Sequence, residues 1–234
     1  MTTIGILHHL GLGDHIMLNG LVRHYAETCQ VVVFILQNQK DSIEFMYKDL
    51  SNVSCFILKN NISSDFRIDI HNLRIPILQL ATYIIPEPIW VQLTHGEHAI
   101  SNWAHLPYTQ AKVNPEYMRT KFHINRNFDR ENCLFEQLGL KNKEYIFVHN
   151  HNVESKYFIF KPDNTINPFN IFDYIKVLEN AKEVHCVNSS WAWVVELVKI
   201  GSNKTNFLKC LLAHDYYPPS TVKTVFTDVR WTFI

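Results

Sequence analysis

Two hydrophobic rhythms alternate along the chain. Residues 3–8 form a short apolar run that reads as a buried strand, residues 11–14 a turn, and then Leu18, Leu21, Val22 and Tyr25 recur at i, i+3, i+4 and i+7, the spacing of one helix face. Residues 31–36 are a continuous β-branched and aromatic run, the signature of a parallel strand covered on both faces. A helix over 41–50 and a strand over 53–58 follow. Between 61 and 120, apolar runs at 75–85 and 89–93 are interrupted by prolines at 76, 86 and 88; proline suits edges and turns, so little regular structure is expected there.

The rhythm resumes with a helix over 127–137, where Gly139 occupies the position of a left-handed helix end. A strand at 145–149 comes next. Asn167-Pro168 reads as a helix start, because asparagine caps free amides and proline suits the first helical position, and Ile171, Tyr174, Ile175 and Leu178 give that helix its stripe. A strand at 183–187, a turn at Asn188-Ser189-Ser190, a helix over 191–200 closed by Gly201, and a strand at 207–212 complete the pattern. Two β-α-β regions, each with a polar turn at a helix start, predict an α/β chain of two Rossmann-like lobes facing each other across a cleft.

Composition narrows the class. With 234 residues, 47% apolar and 13% aromatic, the chain can bury a real core. Its 22 basic residues cancel 22 acidic ones, so no net field steers it to nucleic acid or an anionic membrane face. The 13 histidines add positive charge in mildly acidic conditions. Five scattered cysteines without a C-x-x-C pair read as reduced thiols, and no apolar run approaches a membrane span or a basic-leader signal. A cytoplasmic location is the expectation, and a homodimer is left open.

The first turn carries candidate chemistry. Gly11 and Gly13 let backbone approach a ligand, and the following helix aims free amides at the same space; the plain alternative is a tight turn in which Asp14 caps the helix. A dinucleotide site is disfavoured, because G-x-G-x-x-G would need glycine where Ile16 stands and the second strand ends at Gln37 rather than at an acid. No P-loop Gly-Lys-Ser/Thr follows either. In the second half, Asn188, Ser189 and Ser190 open a helix and suit an anion, with a serine cap as the plain alternative. His149 and His151 share a strand face, weak grounds for a metal site. Trp103, Trp191 and Trp193 can stack on a base or sugar, or belong to the core.

The stretch His-His-Leu-Gly-Leu-Gly-Asp-His-Ile-Met at 8–17 resembles the amino-terminal Gly-x-Gly-Asp signature of the heptosyltransferase group of GT-B glycosyltransferases. The segment 187–193, Val-Asn-Ser-Ser-Trp-Ala-Trp, lies where that group has a small polar turn receiving the donor diphosphate, and 108–140 looks like the linker of small GT-B-like chains. The chain lacks the group's Asp-Thr-Gly-Pro-Met-His-type donor motif and is shorter than its typical members.

The resemblance implies a GT-B architecture, with an acceptor lobe at 1–120 and a nucleotide-sugar donor lobe at 121–234. Asp14 would be the general base, within an active-site loop of Gly11, Leu12, Gly13 and His15. His149, Asn150, Lys156, Asn188, Ser189, Ser190 and Trp191 would hold the donor, with Lys156 offsetting charge on the departing diphosphate. The implied reaction moves a sugar from a nucleotide-sugar to a glycan acceptor with inversion. No cofactor is expected, and no metal, since no two aspartates stand two apart as in the Asp-x-Asp of metal-dependent relatives. The rivals are a nucleotide-sugar epimerase of the two-lobed kind and a non-catalytic nucleotide- or glycan-binding protein.

Overall fold

The computed structural model describes residues 1–8, 11–58, 77–79, 103–149, 152–162, 168–204, 208–212 and 223–233. The chain divides into two compact units, Met1–Asn125 and Arg126–Ile234. The first contains β1 (Thr2–Leu7), α1 (Leu12–Met17), α2 (Asn19–Ala26), β2 (Cys29–Leu36), α3 (Lys40–Tyr47), β3 (Val53–Leu58), β4 (Ile77–Gln79), α4 (Leu106–Gln110) and α5 (Tyr117–Thr120). Its sheet runs β3-β2-β1-β4 and is parallel throughout. The chain therefore steps outward from β1 to β3 and then returns to the other side of β1. That reversal makes the carboxyl end of β1 a topological switch point, where ligands of open α/β sheets bind.

The continuous apolar character of 31–36 is explained by burial: Val31, Val33, Phe34 and Ile35 are almost fully enclosed. Leu7, Phe34 and Leu58 form a core cluster from three adjacent strands, and Phe34 meets Phe56 edge-on, ring centroids 5.6 Å apart.

The single helix expected after the first turn is two helices broken at Leu18. A residue far away in sequence holds the break. The Tyr108 hydroxyl donates to the Met17 carbonyl at 2.9 Å and accepts from the Leu21 amide at 3.2 Å, bridging backbone groups that a continuous helix would have used otherwise. The same face explains Gly20. A Cβ there would stand 1.8 Å from the Tyr117 carbonyl oxygen, so only glycine lets α2 approach α5 so closely. Gly20→Ala is expected to cost about 3 kcal/mol, since it pushes backbone from backbone; a shifted urea midpoint with unchanged slope is the check.

The described part of segment 61–120, residues 77–79 and 103–120, holds β4, α4 and α5 and is more regular than expected. Pro107 lies in the first turn of α4, where its missing N–H has no helical partner to lose. The runs at 75–85 and 89–93 lie largely outside the described residues, apart from β4.

The second unit contains α6 (Phe128–Gln137), β5 (Tyr145–His149), β6 (Phe158–Phe160), α7 (Ile175–Asn180), β7 (Glu183–Val187), α8 (Ser190–Leu197), β8 (Leu208–Leu212) and β9 (Thr232–Phe233). Its parallel sheet runs β6-β5-β7-β8-β9, so strand order reverses around β5 and the switch point lies between β5 and β7.

Asn127 caps α6 by accepting from the Arg130 amide at 3.1 Å, and Gly139 has φ +62°, as its place in the sequence predicts. Asn167 lies outside the described residues, and the cap before α7 is Asn170. It accepts from the Phe172 amide at 2.9 Å and opens a 3-10 turn, Ile171–Tyr174, ahead of α7. Asp173, fully buried, holds Arg130 and accepts from the Asn170 amide. Gly201 does not itself end α8. The first left-handed residue beyond that helix is Lys199, φ +61°, with Gly201 following at +69°.

One interior charge organises the end of this unit. Glu196 on α8 is completely buried. One of its oxygens accepts from the Thr227 and Asp228 amides at 2.5 Å each, and the other from the Trp231 indole N–H at 2.8 Å. Burial raises its carboxyl above the usual carboxylate range, a rise that the three donors only partly offset. Cys29, Cys55, Cys133 and Cys186 are free thiols. Among the described residues no helix is long and apolar enough to cross a membrane.

Candidate functional site

At the switch point of the first sheet, the glycine-bearing segment is more helical than the sequence suggested. Gly11 is the residue before the helix, with extended φ −73° and ψ 143°, and Leu12, Gly13 and Asp14 already form its first turn. Gly11 therefore needs no special backbone freedom, and Asp14 is inside the helix rather than capping it. Gly11 to Asp14 are partly exposed, whereas residues 15–22 are buried.

His15 is thus not a surface member of the loop. Its Nδ1 lies 2.8 Å from Nε2 of His8, just past β1, and the rings meet edge-on with centroids 4.0 Å apart. One ring nitrogen must donate and the other accept, so the pair cannot be doubly protonated without repulsion. Burial first, then His8, holds His15 well below the usual imidazole range against a weaker opposing pull from the Gln39 side chain. Its Nε2 is buried with no hydrogen bond of good geometry.

These shifts fix the acid response. Burial also lowers His149 and His105. In each case the unfolded chain takes up a proton near pH 6.5, the ordinary imidazole value, that the folded site refuses. Their contribution is therefore fully present above about pH 6.5 and is lost as pH falls, by up to about 1.4 kcal/mol per pH unit per group. Urea midpoints measured between pH 7.5 and 5 should fall, with a shallower slope in His15→Gln.

At the switch point of the second sheet, His149 ends β5 and Ser189 follows β7. The Ser189 hydroxyl lies 3.2 Å from His149 Nδ1 and 3.1 Å from the Val187 carbonyl. A carbonyl only accepts, so the single hydroxyl proton goes to Val187 and His149 Nδ1 must carry the proton donated to Ser189. The neutral ring then keeps Nε2 as an acceptor, suited to a ligand hydroxyl.

Although Ser189 stands in the cap position of α8, its side chain makes no capping hydrogen bond. The serine-cap alternative therefore does not hold. The amides of the first turn, which no intrahelical carbonyl can reach, are left for another acceptor, unlike those of α6, where Asn127 is used. Asn188, Ser189 and Ser190 are partly exposed.

Two of the expected donor residues are placed elsewhere. Trp191 is 2% exposed, its ring enclosed by Phe147, Tyr174 and His149, so it supports His149 from the core rather than stacking on a ligand. Trp193 is equally buried, against Phe226. Lys156 precedes β6, whose Phe158 pairs with Tyr145 at the start of β5. It therefore lies at the amino edge of the sheet, beside Glu144 and over the Tyr157 ring at 5.0 Å, opposite the edge that carries His149 and Ser189. The expected role of Lys156 beside the diphosphate does not survive that placement.

Asn150 and His151 lie outside the described residues, as does the Trp103 side chain. Among the described residues no group of three or more His, Cys, Asp or Glu side chains is arranged to hold a metal ion.

No family model and no curated protein matches this sequence. Solved structures do. The chain is similar to a glycosyl transferase of family 9 from Veillonella parvula, at 8% identity and TM-score 0.58, covering all of this chain and 86% of that one. It is also similar to the iron-containing dodecameric glycosyltransferase TibC of enterotoxigenic Escherichia coli, at 8% identity and TM-score 0.52, covering 94% of this chain and 60% of that one. Across nearly its whole described length, then, the chain shares its fold of parallel α/β sheets with glycosyltransferases.

Proposed function

We propose that the protein is a glycosyltransferase of the GT-B kind that moves a sugar from a nucleotide-sugar to a glycan acceptor without a metal. The observation that carries the reading is topological. Each unit has a parallel sheet whose strand order reverses, and the residues that resemble the heptosyltransferase motifs, Gly11 to Asp14 and Asn188 to Ser190, fall at those two reversals. The shared fold adds support.

In this reading the first unit takes the acceptor and the second the donor. Asp14 removes the proton of the acceptor hydroxyl as that oxygen attacks the anomeric carbon. The bond from that carbon to the phosphate oxygen breaks on the opposite face, inverting the configuration, and its electron pair leaves with the nucleoside diphosphate. Uncapped amides at the start of α8 stabilise the negative charge that develops there. His149 Nε2 accepts from a hydroxyl of the donor, and Ser189 fixes its tautomer.

The test is nucleoside diphosphate release from UDP-, GDP-, ADP- and dTDP-sugars with EDTA present. Turnover of one donor, unaffected by EDTA, is the expected result and identifies the base. Release only when divalent metal is restored would remove the metal-independent mechanism. Interconversion of the donor sugar without an acceptor would make the protein an epimerase, and binding without any turnover would make it a binding protein.

A further inference from the structure

The contact between His8 and His15 is polar where an apolar one would pack as well. Both rings are buried, at 3% and 1% exposure, and taking two imidazoles out of water costs free energy unless they find hydrogen-bond partners. They meet each other at 2.8 Å. An apolar contact tolerates sliding, whereas this one fixes a distance and a direction. It joins the end of β1 to α1, since His8 directly follows Leu7 and His15 lies inside the helix. Gln39, which ends the 3-10 turn after β2, acts on the same His15 ring.

The helix depends on such a tie. α1 has six residues, well short of the ~12–15 at which an isolated helix begins to persist. Its first turn includes Gly13, a poor helix former, and Gly11 before it supplies no side-chain cap. Leu12, Gly13 and Asp14 are only partly buried, so packing holds them less than it holds Ile16 and Met17, at 0% and 2% exposure. His15 closes this turn. Its amide donates to the Gly11 carbonyl at 3.1 Å, which loops Leu12, Gly13 and Asp14 between Gly11 and the residue whose ring is anchored.

We propose that the His8–His15 pair is the positioning device of the acceptor site: by fixing His15 to the end of β1, it holds the turn that carries Asp14 in the place from which the carboxylate takes the acceptor proton. The proposal rests on the reading of Asp14 as general base. Both histidines act through Asp14 and are positioning residues rather than catalytic ones.

The experiment compares His15→Leu, which keeps an apolar side chain in the buried seat and deletes the hydrogen bond, with His15→Asn, whose side-chain amide reaches the place of Nδ1. Two quantities are read on the folded full chain: hydrogen exchange at the amide of residue 15, relative to the amides of β2, and single-turnover release of nucleoside diphosphate. In His15→Leu, protection of that amide should fall about tenfold or more. The rate should fall by up to about 10²-fold, the cost of misplacing a reacting group by about 1 Å, with donor affinity unchanged. His15→Asn should return both toward the parent. Asparagine suits a buried seat no better than leucine does, so recovery of the rate without recovery of the urea midpoint separates positioning from folding. If His15→Leu does not fold, His8→Leu deletes the same bond from its other end. Parent-like protection in the leucine variant, an unchanged rate, or an asparagine variant no nearer to the parent would overturn the proposal. A parent that releases no nucleoside diphosphate sinks the glycosyltransferase reading instead, and exchange at residue 15 then decides alone whether the pair sets the turn.

Discussion

Asp14→Asn is expected to lower turnover of the donor by about 10²- to 10⁴-fold, the range of a positioned general base, while donor affinity stays within a factor of two or three. Asparagine matches aspartate in shape and removes only the basic oxygen. Asp14 is partly exposed in the first turn of α1, and an acid there favours the helix by about 0.3–1 kcal/mol through the dipole. The variant should therefore fold with little loss of stability. Donor affinity is preserved because the donor belongs to the second unit in this reading. Single-turnover rates and equilibrium binding, measured on the same preparations, separate the two quantities. A variant that turns over within threefold of the parent would show that Asp14 is not the base.

For stability, the largest expected loss comes from Glu196. Glu196→Ala strands two backbone amides and an indole N–H, each costing about 1–3 kcal/mol when buried without a partner, and the sum should fall near 3–5 kcal/mol. Glu196→Gln is the informative companion. Its carbonyl oxygen can still accept from the Thr227 and Asp228 amides, but its amino group then meets the donating Trp231 indole, so an intermediate loss is expected. Hydrogen exchange at Thr227 and Asp228 locates the damage: protection should fall most in Glu196→Ala, because that residue anchors the approach to β9. Equal losses in both variants would mean that packing of α8, rather than the carboxylate, holds the strand.

These two residues also mark what the sequence could and could not disclose. Strands at 53–58, 145–149 and 183–187 are legible to the residue, because an apolar run bounded by turn residues has few other uses. The left-handed Gly139 is legible for the same local reason, whereas Asn127, read as part of the helix, is its cap. Local pattern carries no record of partners distant in sequence. Leu18 to Tyr25 have helical spacing whether or not Tyr108 interrupts the backbone at Leu18.

Nor does the spacing from β5 reveal that the turn after it carries Lys156 back to the amino edge of β6; that follows only from strand register. Trp191 reads as a ligand platform or as core with equal ease, and burial decides. A signal for Glu196 was present. It is the one charge within the apolar run 191–198, and a lone acid on a buried helix must find donors. His8 was visible in the motif that contains His15, but their pairing needed the geometry of β1 and α1.

The bridge made by Tyr108 bears on how the chain is born. Its two hydrogen bonds span 91 and 87 residues, so a ribosome completes α1 and α2 long before it adds the side chain that joins them. Until then the Leu21 amide has only the Leu18 carbonyl, 3.0 Å away, and the Met17 carbonyl lacks the Tyr108 hydroxyl, while the close seat of Gly20 against Tyr117 is vacant. The amino-terminal unit thus cannot lock progressively from its first strand. Its earliest-made helices are among the last to be fastened, and the helices that follow Gly11 are joined only after Tyr108 has been added.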